Sequence, residues 1–278
     1  MNMMYNVEHS MAAANGHLGS RAFFSGHPVF RREDYAQAVG RTSDDQVVSA
    51  MLTQHLRSGN IRRIARSVFA AVPPHGKGLT WPVDHYLAAS RLRPDAVLAY
   101  HSALEIHGCA YTDAPNAQAI SESDPTVFKT AEFSCRFLRQ PAGFDFRRDV
   151  MIVDRAGLDV RVTTLERTIV DAFDRIDLVG GSEELLNSLA LVPRVKLSEL
   201  LRPAKAMQNA GARGALGWWL ERERSRLGIS SPTLAALRAL KPRHPQYVLG
   251  AKKGDAKFVS DWNILVPRAV TTDRFEGA

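Results

Sequence analysis

Residues 27–72 read HPVFRREDYAQAVGRTSDDQVVSAMLTQHLRSGNIRRIARSVFAAV, and this stretch decides the fold of the first part of the chain. Its pattern predicts a helix from near Arg31 to Gly40, because glycine readily takes the left-handed conformation that ends helices. A second helix is predicted to begin after Ser43 and to end at Gly59. Two helices joined by so short a turn are typical of a helix-turn-helix.

The second helix has two different faces. Ser43 and Gln46 stand at the spacing of a capping box, in which two side chains bond exposed N–H groups at the helix start. Four apolar residues and one histidine recur at helical spacing and predict a buried stripe: Val48, Met51, Leu52, His55 and Leu56. The opposite stripe consists of short or polar residues, which suit close approach to DNA base edges: Gln46, Ser49, Ala50, Thr53 and Arg57.

A basic hairpin is predicted to follow the helix pair. Residues 61–65 and 67–72 alternate and contain β-branched side chains, with a turn at Arg66 and Ser67. Such a hairpin is the wing of a winged helix-turn-helix, and its arginines can track a DNA backbone or enter a minor groove. The candidate DNA-contacting residues are Arg31, Arg32, Arg41, Gln46, Ser49, Thr53, Arg57, Arg62, Arg63 and Arg66. The alternative is a small helical subdomain with a solvated arginine patch.

Composition and charge set wider bounds. The chain has 278 residues, of which 45% are hydrophobic, so it can bury more than one core. The net charge is +7, and it is unevenly distributed. Residues 21–72 hold 8 basic and 4 acidic side chains, residues 73–190 hold 12 and 17, and residues 191–278 hold 16 and 7. A basic head and a basic tail flanking an acidic middle permit nucleic-acid binding without establishing it.

The sequence predicts a cytoplasmic protein that does not span a membrane. Cys109 and Cys135 match no metal-binding spacing, and without a secretory context a disulfide is not expected. The leader lacks a basic segment followed by an apolar one, and no run of eighteen apolar residues occurs. No cofactor or metal is expected.

The predicted fold class is α+β, with a winged helix-turn-helix followed by a larger mixed α/β and helical domain. Residues 1–26 are predicted to be a flexible tail and residues 27–74 the DNA-binding domain. A Pro- and Gly-rich hinge then leads to a second domain at 79–278, with a sheet-containing part at about 79–178 and a mainly helical part at about 179–278.

The sheet-containing part is predicted to open with two helices, the second running from Pro94 or Asp95 to Gly108. Four segments of period two then predict a mixed or antiparallel sheet: residues 117–123, 132–140, 149–154 and 158–163. A capping box of Thr163 and Glu166 is predicted to start the next helix.

On that helix, Arg167 and Asp171 lie one turn apart and are predicted to be structural. They can pair with each other or, if buried, fix the helix to the sheet.

Two clusters invite catalytic or metal interpretations. The first consists of His101, Glu105 and His107, of which only His101 and Glu105 stand four residues apart on one helix face. Ordinary helix packing explains them better than a metal site does. Four carboxylates near the last two predicted strands match those of magnesium-dependent nucleases: Asp149, Asp154, Asp159 and Glu166. The lysine that usually accompanies such carboxylates is absent, and no nucleotide-binding or hydrolase motif occurs.

The order of motifs resembles the AbiEi family of bacterial antitoxins. Residues 29–40 and 56–72 are similar to the family's N-terminal winged helix, and VLAYHSALEIHG at residues 97–108 is similar to the helix that opens its second domain. DVRVTTLERTIVDAFD at residues 159–174 is the closest match, and it places Arg167 and Asp171 on the family's arginine and aspartate.

The resemblance implies a non-enzymatic DNA-binding repressor that acts as the antitoxin of a toxin–antitoxin pair. Such a protein binds inverted repeats in its own promoter, and its larger domain neutralises a nucleotidyltransferase-like toxin. The wing turn at Arg66 and Ser67 lacks the family's glycine. The alternatives are a regulator without antitoxin activity, a magnesium-dependent nucleic-acid-processing enzyme, and a protein that binds an acidic partner.

Overall fold

The computed structural model describes residues 19–76 and 81–271, and the chain divides into two compact units between Trp81 and Pro82. The fold is α+β, as predicted. The first unit comprises α1 Ser20–Gly26, β1 Val29–Arg31, α2 Arg32–Ala38, α3 Gln46–Arg57, β2 Ile61–Ala65 and β3 Val68–Ala71. Its strands form an antiparallel sheet in the order β1-β3-β2.

An aromatic cluster forms the core of the first unit. Phe23 of α1 packs edge-on against Phe30 and Tyr35, and all three side chains are buried. The prediction of a flexible tail over residues 1–26 is therefore wrong for α1, and residues 1–18 lie outside the described residues. The segment is only seven residues long and has no side-chain cap, so its helix depends on the burial of Phe23.

The predicted helix pair and hairpin are present, although the start of α3 differs. Asp45 is the N-cap, with its carboxylate accepting from the Val47 N–H at 2.7 Å, so the predicted capping box of Ser43 and Gln46 is wrong. Gly40 and Gly59 both have positive φ, as the predicted helix ends require. The hairpin turns at Arg66 and Ser67. Assignment of this unit to the winged helix-turn-helix class stays a prediction.

The second unit begins with helices and a large sheet. Its first elements are α4 His85–Leu92, β4 Val97–Leu98, α5 Tyr100–Ile106, β5 Asn116–Ser121, β6 Thr126–Lys129, β7 Ser134–Arg139, β8 Val150–Arg155 and β9 Leu158–Thr163. The six strands form a mixed sheet in the order β6-β7-β5-β4-β9-β8. The β4–β9 and β5–β7 pairs are parallel and the other pairs are antiparallel, so β8 and β6 are the two edges.

The predicted helix from residue 94 to residue 108 begins too early. Val97 and Leu98 form the short strand β4, and α5 begins only at Tyr100, whose φ of 55° separates the two elements. The strand β6 was also not predicted. Gly108 has positive φ just after α5, as expected for a helix end.

The remaining elements are α6 Leu165–Asp174, α7 Ser182–Ala190, α8 Leu197–Ala206, α9 Ala210–Arg222, α10 Arg224–Leu227, α11 Ser231–Arg238, β10 Gln246–Tyr247, β11 Ala256–Val259 and β12 Ile264–Pro267. Thr164, not Thr163, is the N-cap of α6 and accepts from the Arg167 N–H, so the predicted capping box is displaced by one residue. Glu166 instead accepts from the Lys196 N–H at 2.8 Å. A second core combines buried residues of the large sheet with those of α5 to α9, α11 and β12, and it includes Trp219 and Trp262.

Three glycines of α9 allow β10, β12 and the residues beside them to approach this helix closely. A Cβ at Gly211 would lie 3.2 Å from Val248, one at Gly214 would lie 2.7 Å from Ile264, and one at Gly217 would lie 2.0 Å from the Trp262 ring. These strands form a sheet in the order β10-β12-β11. One face of that sheet is therefore fixed against the backbone of α9.

Both cysteines are free thiols in the interior of the second unit. Within residues 19–76 and 81–271, no helix has the length and apolar character that crossing a lipid bilayer requires.

Candidate nucleic-acid interface

The outward face of α3 carries most of the predicted base-reading residues. Gln46, Thr53 and Arg57 are exposed, because the helical period that buries Val48 and Leu52 turns them to the other side. A shallow surface depression follows this face and is lined by Ser49, Ala50, Thr53, Gln54, Arg57 and Ser58. Thr53 donates its hydroxyl hydrogen to the Ser49 carbonyl at 2.8 Å, so its methyl group faces outward with the other side chains.

The N-terminus of α3 is already occupied by a carboxylate. Asp45 caps the helix, and its other oxygen accepts from Arg41 at 2.8 Å. The hydrogen bond from Arg41 and the one from the Val47 N–H hold the pKa of Asp45 below its usual range. Asp45 is therefore ionised at neutral pH and compensates the positive helix end, so this helix N-terminus is not free to bind a phosphate.

Arg32 is hydrogen-bonded within the first unit. Its guanidinium donates to the Ser43 carbonyl, to the Asp45 carbonyl at 3.2 Å and to the Ser49 hydroxyl at 2.6 Å. These bonds fix the turn between α2 and α3 and use the hydroxyl predicted to read bases. Arg32 and the Ser49 hydroxyl therefore help to hold this turn, and their predicted contacts with DNA stay predictions.

Arg31 and Arg41 also have partners within the unit. The backbone of Arg31 takes part in a capping box with Asp34 at the start of α2, and its side chain is half-buried. Arg41 is exposed but pairs with Asp45. Both lie at helix ends rather than on the outward face of α3.

The three wing arginines have different surroundings. Arg62 and Arg63 are neighbours on β2, so their side chains leave opposite faces of the hairpin. Arg62 is half-buried and donates to the Trp81 carbonyl at 2.7 Å, whereas Arg63 is exposed with its guanidinium 5.6 Å from the Phe69 ring centroid. Arg66 is exposed at the hairpin turn. Arg63 and Arg66 are thus the wing cations available to a partner.

Arg167 and Asp171 form a buried ion pair, as their spacing allowed. The Arg167 Nε donates to both Asp171 oxygens at 2.9 Å, and the Arg167 side chain is only 2% exposed. Its other nitrogens reach Asp149, just before β8, and the Ala142 carbonyl, both at 3.4 Å. Arg202 of α8 binds the second oxygen of Asp149. The pair therefore joins α6 to the segment that enters the sheet.

The carboxylates considered for a nuclease site are dispersed. Asp149 is neutralised by two arginines, and Glu166 caps a backbone N–H. Asp154 and Asp159 face each other across the exposed end of the β8–β9 hairpin. Within the described part of the chain, no three metal-ligating side chains are grouped as a site.

His101 and Glu105 belong to a buried network at the start of the second unit. The imidazole lies 3.7 Å from Glu105 and 3.4 Å from Glu184, and His107 instead bonds the Thr163 carbonyl. Burial raises the pKa of Glu105 to about 7, while hydrogen bonds from the loop at Thr112 lower the pKa of Glu184 against its own burial. The two carboxylates accept N–H groups at residues 111–114, so they fasten this loop.

Sequence reasoning missed two contributors to the candidate interface. Gln54 shares the exposed face of α3, and its spacing of four residues after Ala50 could have revealed it. Asp45 caps the helix and pairs with Arg41. The sequence pattern pointed instead to Ser43, two residues earlier, because serine is also a common N-cap residue.

Comparison with known proteins gives one informative likeness. No protein-family model matches the chain, and no curated protein matches it. Among solved structures, the chain is similar to the crystal structure of the RV2827C protein from Mycobacterium tuberculosis, with 15% sequence identity and a TM-score of 0.53. The likeness covers 86% of each chain. At this identity it concerns the α+β fold alone.

Proposed function

We propose that this protein is a cytoplasmic, non-enzymatic DNA-binding repressor whose first unit is a winged helix-turn-helix. The proposal depends mainly on one observation: α3 presents an exposed face of small and polar side chains that follows a turn held by Arg32 and precedes a hairpin with exposed arginines. Gln46 and Gln54 have the donors and acceptors that read base edges in a major groove, and the Thr53 hydroxyl, whose hydrogen goes to Ser49, can still accept. Arg57, Arg63 and Arg66 would bind phosphates.

The antitoxin role is the finer part of the proposal and depends on the resemblance to the AbiEi family. In this proposal the second unit neutralises a nucleotidyltransferase-like toxin, and the first unit represses the shared operon through inverted repeats. Co-expression with the product of the adjacent gene tests it: growth should stop with the toxin alone and resume with the full chain. Failure of the full chain to restore growth would contradict the antitoxin role and leave DNA binding intact.

DNA binding is tested by fluorescence anisotropy against the native upstream duplex and a scrambled duplex over a range of salt concentrations. We expect R63A/R66A to weaken binding to both duplexes and to reduce the slope of log K against log salt by about 2, since two phosphate contacts are lost. Gln46→Ala should instead reduce the preference for the native duplex by about tenfold, because it removes a base contact.

The matched control is R147A/R148A, which removes the same charge from exposed positions of the second unit. Equal effects of the two double variants would show that only net charge matters and would overturn the assigned interface. An unchanged native-to-scrambled ratio in Gln46→Ala and Thr53→Ala would remove the base-reading role of α3.

A further inference from the structure

The outer face of the C-terminal sheet carries two exposed aromatic side chains in line. Tyr247 of β10 and Phe258 of β11 both pair with Leu265 of the central strand β12, so the three side chains project from the same face. Tyr247 is 52% exposed and Phe258 is 50% exposed. Within the described part of the chain, neither ring has an aromatic or cationic side chain stacked on it.

The opposite face of this sheet packs against α9 through the central strand. Ile264 and Val266 alternate with Leu265 along β12 and are both 0% exposed. They point to the side where the glycines of α9 meet the sheet. The sheet is therefore held in place through its inner face, and we expect its inner packing to remain when Tyr247 or Phe258 is replaced.

Positive charge borders this aromatic face at both ends. Lys252 and Lys253 lie in the exposed turn before β11, and Arg243 is exposed just before β10, at the other end of the strands. Residues 241–268 contain six lysines and arginines but only two acidic residues. Such a border favours a polyanion over an apolar or basic protein surface.

Exposed aromatic rings on a sheet favour single-stranded over double-stranded nucleic acid. An aromatic side chain can stack on a base only when that base is unpaired and unstacked, while surrounding cations hold the phosphates. We propose that the outer face of the C-terminal sheet binds single-stranded nucleic acid, with Tyr247 and Phe258 stacking on bases and Lys252, Lys253 and Arg243 contacting phosphates. This site is separate from the duplex-binding face proposed on α3 and does not depend on it.

The test uses the full chain and two labelled probes, a 20-nucleotide oligo(dT) and a 20-nucleotide oligo(U), with a scrambled 20-base-pair duplex for comparison. We expect Tyr247→Ala and Phe258→Ala each to weaken binding of at least one single-stranded probe by about tenfold, which is the usual loss per stacked base. Phe258→Trp should keep the affinity, because the larger ring preserves stacking. K252S/K253S should lower the salt slope by about 1.4.

Tyr111→Ala is the matched control, because Tyr111 is 61% exposed but lies on the loop held by Glu184. It should leave every affinity unchanged. Tyr247→Ala and Phe258→Ala should also leave duplex affinity unchanged, so failure of this site and failure of the α3 interface give different results.

Three outcomes would overturn the proposal. The first is no binding of either single-stranded probe by the wild-type chain, and the second is equal losses in Tyr111→Ala and the two sheet variants. The third is abolition of single-strand binding by R63A/R66A with no effect of Phe258→Ala, which would assign that binding to the first unit. Thermal unfolding of each variant verifies that the sheet remains folded.

Discussion

Particular arginines in the two units of this protein have opposite surroundings. In the first unit Arg57, Arg63 and Arg66 are exposed, and their charge is available to a partner. In the second unit Arg167 is 2% exposed and is held between Asp171 and Asp149. The comparison shows that the number of arginines in a segment does not locate a binding surface, because the carboxylates and carbonyls around each guanidinium decide its role.

The largest expected effect comes from breaking the buried pair of the second unit. Arg167→Met should lower the free energy of unfolding by about 3–5 kcal/mol, because it leaves Asp171 buried without its cation. Denaturant unfolding followed by circular dichroism measures the change. The double variant R167M/D171L should recover most of the loss, since an apolar pair replaces the ion pair.

Arg148→Ala is the comparison for that experiment, because Arg148 is exposed and lies 4.0 Å from Asp145. It should change the free energy of unfolding by less than about 0.5 kcal/mol. If Arg167→Met were as mild as Arg148→Ala, the contrast between buried and exposed arginines would be lost.

A smaller effect is expected from pH, and it should be confined to the second unit. Burial raises the pKa of Glu105 to about 7 from an ordinary value of 4.5. The folded state therefore binds this proton more tightly than the unfolded state, so stability is lost as pH rises through the window from about 4.5 to about 7. In Glu105→Gln, the loss of unfolding free energy between pH 5 and pH 8 should be about 1–3 kcal/mol smaller than in the wild type.

Denaturant titrations of the wild type and of Glu105→Gln at pH 5 and pH 8 measure the difference. The fluorescence of Trp219 and its neighbours reports the second unit. Parallel pH profiles for the two proteins would show that the proton on Glu105 does not contribute to folding.

The smallest effect distinguishes two arginines within the first unit. Arg32→Ala should lower the free energy of unfolding by about 1–2 kcal/mol, because it removes the bonds that fix the α2–α3 turn. Arg66→Ala should stay within about 0.5 kcal/mol of the wild type, since Arg66 is exposed at the hairpin turn. Thermal unfolding of both variants measures the two losses. A larger loss in Arg66→Ala than in Arg32→Ala would contradict the structural role given to Arg32.

The sequence predicted those features that depend on local periodicity. Val48 and Leu52 repeat at helical spacing and are buried, so the exposed positions of Gln46, Thr53 and Arg57 followed from the same helix. The strands β8 and β9 were predicted at residues 149–154 and 158–163 because both segments alternate, and the structure joins them as a hairpin in which Gly157 has a positive φ.

Other features depend on tertiary contacts that no local pattern reveals. Val97 and Leu98 stand in a continuous apolar run that suits helix or strand equally. They form a strand because they pair with β5 and β9. Asp45 rather than Ser43 caps α3, while the Ser43 carbonyl accepts from Arg32. The ordering of Arg32 could not be predicted, because its three partners come from a turn and a different helix.

The glycines of α9 have a consequence for how this protein can change. Because Gly214 and Gly217 bring the helix backbone against Ile264 and Trp262, the inner face alone specifies how the C-terminal sheet is seated. Tyr247 and Phe258 lie on the other face and are about half exposed, so we expect substitutions there to leave the scaffold folded. The outer face can therefore acquire new binding preferences through single substitutions at little cost in folding, while the glycines opposite tolerate almost none.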